Sequence, residues 1–542
     1  MKKSIRRLSA VLLFVFLSVS ALSGCGAAPS PAAEVSSTEA TASSASQEAT
    51  PAASTETAAS AEVLPEVELV YYFVNSPQND LESVNAEINR QVKGKINATV
   101  KMNLIDWGAF DQKMNVVAAS GEPCDLVFTA TWANNIYQNI AKGTLAPLND
   151  LIDTYAPKTK ETVPETFWKV VTVKGQIYAV PNFQQATAGY GILVQKAIAD
   201  KYGFDWKSVT SLSGLEPLLE QVKANEPDMI PYGTCSGSAE TFINSPPMFA
   251  MEAVGDSKTP GWLYLKDDTL KVINQYDTPE FKTHIVMMRR WYEKGYIRKD
   301  VATLTDINED LNAGKVAAKQ GQIDLDSLMF EQAGLPFDGR MMMNNQNTPS
   351  YDLQFVKPLL TTDKAAATNT GIMASSQNKE RAMMLIELMN TDKMLYNTFC
   401  WGIEGKHYKK INDVGDGRIE TIKDGGYQIF SAWEFGNMEN SYLSESHPIG
   451  GEVDGKFTKM WSSLNRNAPA SNALGFVFDM TPVKTEIASC QAVLDELYYA
   501  VALGSVDPDK YQPILVQKLK DAGSETIMAE KQKQLDAWKA TR

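Results

Sequence analysis

The chain has 542 residues, 44% of them hydrophobic, and its 65 acidic residues against 51 basic ones leave a formal charge of −14. A body this acidic offers no basic face to nucleic acid or to an anionic surface, so binding through bulk charge is excluded. The length exceeds what one hydrophobic core supports and predicts two or more lobes.

In chain order, the first element is a leader. Lys2, Lys3, Arg6 and Arg7 are followed by VLLFVFLSVSAL, an apolar run of about a dozen residues, where a resident membrane helix needs ~20. Basic start, short apolar core and small residues predict a secretory signal peptide over residues 1–24. Leu22-Ser23-Gly24-Cys25 resembles the lipobox of bacterial lipoproteins. The resemblance implies that the Cys25 thiol receives a diacylglyceryl group and becomes the new N-terminus, a lipid anchor in the cell membrane on its extracellular face. Residues 25–65 are then the lipidated Cys25 and a tract of Ala, Ser and Thr too poor in large apolar side chains to bury a core, hence a flexible tether. Without the four basic residues of the leader the formal charge falls from −14 to −18.

The folded body opens with VELVYYFV at 67–74, β-branched and aromatic like a buried strand. Asn75-Ser76-Pro77 breaks it. Asp80 is placed to cap a helix with Leu81, Val84 and Ile88 on one face. A strand over 98–105 ends at Asp106-Trp107, a helix carries Phe110, Met114 and Val117 to a stop at Gly121-Glu122-Pro123, and a third strand over 125–130 ends near Trp132. Strand alternating with helix predicts an α/β fold with a mostly parallel sheet, in which ligands bind beyond the carboxyl ends of the strands. Asn75, Ser76, Asp106, Trp107, Thr129 and Trp132 lie at those ends. Pro181, Gly189 and Gly191 read as an irregular crossing segment, and 191 to about 360, rich in Trp and Tyr, reads as a second lobe. Residues 364–373 read as a return strand. The following helix, capped by Ser376 or Asn378, carries Ala382, Leu385, Ile386 and Met389 on one face. Asp507-Pro508 is a cap with proline at the first helical position, Tyr511, Ile514, Leu515 and Leu519 form the stripe, Pro513 is a kink, and Gly523 ends the helix.

Little in the chain points to catalysis. Cys124, Cys235, Cys400 and Cys490 make no CxxC, and two disulfides or four buried thiols fit their spacing equally. His284, His407 and His447 show no metal-ligand spacing. Gly233-Thr234-Cys235-Ser236-Gly237 has the form of a nucleophile elbow, but the proline-bearing PDMIPYGT before it is a poor strand and no His is singled out as its partner. No spacing singles out a carboxylate pair for glycoside hydrolysis. The expectation is no catalytic residue, no cofactor and no metal. There is no P-loop either, so any transport ATPase is a separate protein.

Several stretches carry a family resemblance. VVAASGEPCDLVFTA, GQIYAVPN, LNAGKVAAKQGQ, GIMASSQNKERAMMLIELMNTD, WGIEGKHY, AWEFGN and GFVFDMTPVKTEI resemble, in that order along the chain, segments of bacterial extracellular solute-binding proteins, the receptors of ABC importers. The match is to the oligosaccharide-type family 1, in a lipoprotein branch with a DUF3502-type C-terminal region. The resemblance implies a two-lobed periplasmic-binding-protein-like fold of type II, each lobe a mostly parallel sheet flanked by helices, with two or three crossing strands as the hinge and closure on the ligand. It places lobe 1 at 66–183 plus about 365–400, lobe 2 at 184–364, and a C-terminal helical region at 401–542 packing on both. It implies ABC permease and ATPase subunits as partners and a monomeric receptor.

A sugar ring presents a CH-rich face and a rim of hydroxyls, so its site needs flat apolar platforms beside fixed polar groups. Trp107 and Trp132 are the candidate platforms and Asn75, Ser76 and Asp106 the rim. Phe183, Gln185 and Tyr190 of the crossing segment and Trp401, Trp433 and Glu434 of the late region complete the candidate set. An oligosaccharide is the expected ligand. An oligopeptide receptor, or a surface lipoprotein that signals or tethers without transport, is the alternative.

Overall fold

The structure, a computed structural model, describes residues 64–187, 189–237, 241–323, 341–342, 348–411, 418–422, 424–427, 429, 432–444 and 456–541. The leader, Cys25 and the tether up to residue 63 lie outside the described residues. Residues 63–542 form one unit. Its main elements are β1 (Val67–Val74), α1 (Leu81–Ile96), β2 (Ala98–Ile105), α2 (Phe110–Ser120), β3 (Leu126–Thr129), β4 (Ala179–Pro181), β5 (Gly189–Gln195), β6 (Ile230–Tyr232), α3 (Pro279–Lys294), β7 (Val316–Ile323), β8 (Met341–Met342), β9 (Pro349–Val356), β10 (Asn369–Ile372), α4 (Lys379–Thr391), α5 (Lys393–Trp401), α6 (Lys456–Asn467), α7 (Lys484–Ala502), α8 (Pro508–Asp521) and α9 (Ser524–Lys539).

The first sheet has the order β2-β1-β3-β10-β4. β1 runs parallel to β2, in register from Val67↔Ala98 to Val74↔Ile105, and parallel to β3. β10 returns antiparallel between β3 and β4. The apolar stripes are the reason for this layering: Val84, Ile88 and Val92 of α1, Phe110, Met114 and Val117 of α2, and Ala382, Leu385, Ile386 and Met389 of α4 are all buried in one core with the strands. Gly121, at φ 71, ends α2 in the left-handed conformation that favours glycine.

The second sheet has the order β8-β9-β5-β7-β6. Here the expectation of a mostly parallel sheet is corrected. β5 pairs antiparallel with both β7 and β9, β8 pairs antiparallel with β9, and only β6–β7 is parallel. Helices over 196–202, 216–225 and 279–294 also separate β5, β6 and β7, long enough crossovers for parallel pairing. Only β6 and β7 run the same way, while β5 runs opposite to both its neighbours, so alternation alone does not fix strand direction. The glycines read as an irregular crossing belong to β5, the middle strand. A Cβ at Gly191 would stand 1.8 Å from the Leu353 carbonyl oxygen, so glycine there permits the close approach of β9. The return strand is also shorter than expected, since Thr362–Ala365 is a short helix before β10.

The late region divides. Trp401, Tyr408, Ile419, Tyr427, Ile429 and Phe435 join the first core. Leu494, Tyr498 and Val501 of α7, Leu515 and Leu519 of α8, and Ile527 and Leu535 of α9 form another core with Phe242, Trp262, Tyr276 and Phe281. The second sheet packs its own core of Trp206, Leu218, Met288 and Trp291. Asp507 caps α8 through Asp509 N–H, with Pro508 next and Pro513 inside the helix. Cys124, Cys235, Cys400 and Cys490 are buried and stand as thiols.

Three described segments run between the parts of the chain that build the two sheets: 182–187 after β4, 357–361 after β9, and 468–475 after α6. Leu360 bridges Ala470, and the Leu360 N–H donates to the Pro469 carbonyl at 2.9 Å while its carbonyl accepts from Ser471 N–H at 2.9 Å.

Candidate ligand-binding site

Because β1, β2 and β3 are parallel, their carboxyl ends share one edge of the first sheet. Asn75 is buried and its N–H donates to the Ile105 carbonyl at 2.9 Å, which joins the ends of β1 and β2. Ser76 and Asp106 are exposed, and the Asp106 carboxylate accepts from Gly108 N–H at 3.1 Å. Trp107 follows at once on that turn. Trp132 sits on the loop after β3, which Asn134 organises: its side chain donates to the Phe128 carbonyl at 2.9 Å and its N–H to the Asp111 carboxylate at 2.6 Å.

Trp107 is 45% exposed and Trp132 49%, and the two indoles stack with centroids 6.0 Å apart and planes 18° from parallel. Trp433, on the turn Ala432–Glu434, completes the group: it stands 6.2 Å from Trp107, tilted to it, and 5.8 Å from Trp132, edge-on to it. Phe128 of β3, fully buried, lies beneath, 5.7 Å from Trp132 and 5.8 Å from Trp433. The Trp132 indole N–H donates to the Ala367 carbonyl at 2.8 Å, so its polar edge is satisfied and its ring is held in place. Two half-exposed indoles on a buried aromatic floor form an apolar surface that a folded chain does not leave in water without use.

The other expected residues lie elsewhere. Phe183 is fully buried, edge-on to Phe167 at 5.3 Å and under the Arg466 guanidinium at 4.9 Å. Trp401 is buried at the end of α5, and its indole N–H donates to the Ser441 hydroxyl at 3.4 Å. Glu434 is adjacent to Trp433 yet fully buried. Burial raises the pKa of the Tyr71 phenol, the Cys400 thiol and the Tyr427 phenol, and the Glu434 charge nearby raises each further. Phe183, Trp401 and Glu434 are thus buried among other side chains. Gln185 and Tyr190 lie on the crossing: the Gln185 Nε2 and the Tyr190 hydroxyl are buried with no hydrogen-bond partner among the described residues.

Two features escaped sequence reasoning. One is the Phe128 floor, indistinguishable in a buried strand from any core phenylalanine. The other is the short helix Thr362–Ala365. The Thr131 hydroxyl donates to the Asp363 carbonyl at 3.4 Å, and the Lys364 ammonium donates to Gln322 of β7 at 3.0 Å and stands 5.6 Å from the Tyr190 ring. This helix therefore links the indole group to the second sheet. Asp80 also differs from expectation. It precedes α1, but its carboxylate takes the Ser83 hydroxyl, the His407 ring and the Lys406 ammonium instead of a helix N–H, and the Lys406 bond holds its pKa well below the usual carboxylate range. Among the described residues no group of three or more His, Cys, Asp or Glu is placed to hold a metal ion, and no helix is long and apolar enough to cross a membrane.

Over 472 residues the chain is 31% identical to a carbohydrate ABC transporter substrate-binding protein of Streptococcus pneumoniae serotype 4, covering 86% of this chain and 89% of that one. The chain belongs to this family of substrate-binding proteins. A domain of unknown function, DUF3502, matches residues 472–540, the C-terminal helices. The crystal structure of the N-glycan transport solute binding protein NgtS from Streptococcus pneumoniae superposes with a TM-score of 0.74 at 28% identity, over 87% of this chain and 99% of NgtS. NgtS in complex with Man5GlcNAc gives 0.70 at 27% identity. The S. pneumoniae substrate binding protein FusA in complex with kestose shares the fold, with a TM-score of 0.59 at 16% identity over 88% of this chain and all of FusA. The two-lobed α/β solute-binding fold and a sugar-receptor role in an ABC importer agree with these relatives.

Proposed function

We propose that the protein is a lipid-anchored extracellular receptor that captures an oligosaccharide between two lobes and delivers it to a separate ABC permease and ATPase. The first sheet with 365–400 is lobe 1, the second sheet lobe 2, and the three crossing segments are the hinge. One observation carries the reading: Trp107, Trp132 and Trp433 gather on one edge of the first sheet, two of them half exposed and stacked. Indole faces suit the CH-rich face of a sugar ring, and the exposed Ser76 and Asp106 beside them suit its hydroxyls. We drop Phe183, Trp401 and Glu434 from the contact set because they are buried, and keep Gln185 and Tyr190 as polar groups that closure would bring to the solute. NgtS and its Man5GlcNAc complex support a mannose- and N-acetylglucosamine-containing glycan as the first candidate. A peptide receptor would instead pin termini and backbone with charges and strand pairing. No catalysis is assigned, in keeping with relatives that are binding proteins of transporters.

Thermal melts of the purified protein against Man5GlcNAc, kestose and oligopeptides test the reading, since a ligand at 100 times its Kd stabilises by about 2.7 kcal/mol. Stabilisation by a glycan is expected. Stabilisation by peptides alone overturns the ligand class, and turnover of a sugar overturns the receptor. Membrane fractionation of wild type and Cys25→Ala tests the anchor: the variant should be released, and its retention would contradict acylation.

A further inference from the structure

The crossing from β4 to β5 is fastened in two different ways. Its first part is zipped to the late loop that carries Trp433. The Asn182 amide donates to the Glu434 carbonyl at 2.7 Å, Phe183 bridges Asn437, and Met438 N–H donates to the Phe183 carbonyl at 2.8 Å. Among the described residues its second part, 184–187, has no such strand partner. There one buried side chain, Asn465 near the end of α6, takes over. The Asn465 Oδ1 accepts from Ala186 N–H at 3.1 Å, Thr187 N–H at 3.1 Å and the Thr187 hydroxyl at 2.9 Å, and its Nδ2 donates to the Gln184 carbonyl at 2.6 Å. The orientation of the amide follows from its neighbours. Two backbone N–H groups only donate, so the atom facing them is the oxygen, and a carbonyl only accepts, so the atom facing it is the nitrogen. Asn465 is 2% exposed, and its bonds to Ala186 and Thr187 are buried, where water is a poor substitute, while the bond to Gln184 is partly buried.

The same helix end holds the Trp433 loop from the other side. The Ser462 hydroxyl bonds the Glu439 carboxylate, the Arg466 guanidinium pairs with it at 3.2 Å, and Glu439 N–H donates to Asn437. Arg466 also covers the Phe183 ring. Residues 182–187, 434–439 and 462–466 thus form a single tied piece, and Asn465 decides how far along the crossing that piece extends. With the clamp in place the backbone of the crossing is held through Thr187.

We propose that Asn465 is the hinge-positioning residue of this receptor: it sets where the crossing is free to turn and, through the tie to Glu439, keeps Trp433 in place against Trp107 and Trp132 while the second sheet moves. The proposal rests on the reading of the indole group as the solute platform. It implies that Asn465 acts on affinity without touching the solute.

The test compares wild type, Asn465→Ala, Arg466→Met and a core control, Leu385→Ala, in the full protein. Amide exchange is measured without ligand and affinity is measured with Man5GlcNAc. Asn465→Ala is expected to speed exchange by about tenfold at both 184–187 and 432–439, leaving α4 unchanged. It should also weaken binding by about tenfold at temperatures well below its melting point. Leu385→Ala should lower the melting temperature and leave affinity alone. Arg466→Met removes one of the two side chains that hold Glu439, Ser462 keeping the other bond, and spares the amide network, so it should speed exchange at 432–439 only, by about threefold. The proposal is overturned if Asn465→Ala leaves exchange at 432–439 or affinity at the wild-type value. If that variant does not fold, unchanged exchange at 432–439 in Arg466→Met overturns it. Should wild type bind no glycan, the receptor reading fails on its own, and exchange in the ligand-free protein still decides the clamp.

Discussion

The same residue, tryptophan, does opposite work in the two sheets. On the first, Trp107 and Trp132 follow the ends of parallel strands and stand half exposed, stacked on each other. Around the second, Trp291 is fully buried and Trp206 nearly so. Trp291 ends the stripe Phe281, Ile285, Met288 on α3 and donates its indole N–H to Glu216 at 3.0 Å, while Trp206 stacks on Tyr351 at 4.7 Å. A helical stripe turns a large ring into the core. A strand-end turn has no fixed inner side, and a ring placed there stays available. Position relative to the element, more than residue type, separates exposed rings from packed ones.

That contrast can be broken by substitution. The largest effect is expected at Trp291→Ala, which should cost about 3–5 kcal/mol of stability as a buried aromatic truncation and leave affinity, measured below the variant's melting point, at the wild-type value. A loss of affinity there would blur the distinction. Trp107→Ala and Trp132→Ala should do the reverse. Each should weaken glycan binding by about 10- to 150-fold, the equivalent of 1.5–3 kcal/mol of ring burial against the solute, with melting nearly unchanged. Calorimetric titration beside a thermal melt reads both quantities.

A smaller effect sharpens the picture of the second region as a packed body. Glu252 lies on the short hairpin under Ser471, whose hydroxyl bonds it, and burial pushes its pKa up to about 7 from 4.5. The native state then holds a proton that the unfolded chain has lost between those values, so stability is fully present below about pH 4.5 and falls as pH rises towards 7. Glu252→Gln should flatten that dependence, by about 1–3 kcal/mol across the interval, without moving affinity. An unchanged pH profile would contradict it. The smallest effect belongs to the exposed i,i+4 pair Lys169–Glu165. Lys169→Gln should shift stability by less than about 0.5 kcal/mol, and a larger drop in the melting temperature would call for another partner.

Much of the first region was legible because its signals are local. Period-two strands, helical stripes and stops such as Gly121 place β1, α1, β2 and α2 within a residue or so of where they lie. The strand-end rule then points to Trp107 and Trp132 directly. What was not legible depends on distant parts of the chain. Trp433 and Glu434 are neighbours in sequence, yet one ring reaches the platform and the adjacent carboxylate is walled in beside Tyr71, Cys400 and Tyr427. Nothing in AWEFGN distinguishes them. Phe183 reads as a cleft residue until Phe167 and Arg466 enclose it. The second sheet misleads for a related reason. Its pairing is chosen by strands more than a hundred residues apart, and the glycines of β5, which read locally as a break, are there to let β9 come close. Asn465 carries no local mark at all, since its four bonds run to residues about 280 positions away.

The most direct test joins both tryptophans. Titration of whichever glycan most raises the melting temperature, into wild type and into the Trp107→Ala/Trp132→Ala double variant, should give saturable binding to the first and none to the second, with both proteins melting within a few degrees of each other. Equal affinity in the two proteins, or no glycan bound by wild type, would contradict the account.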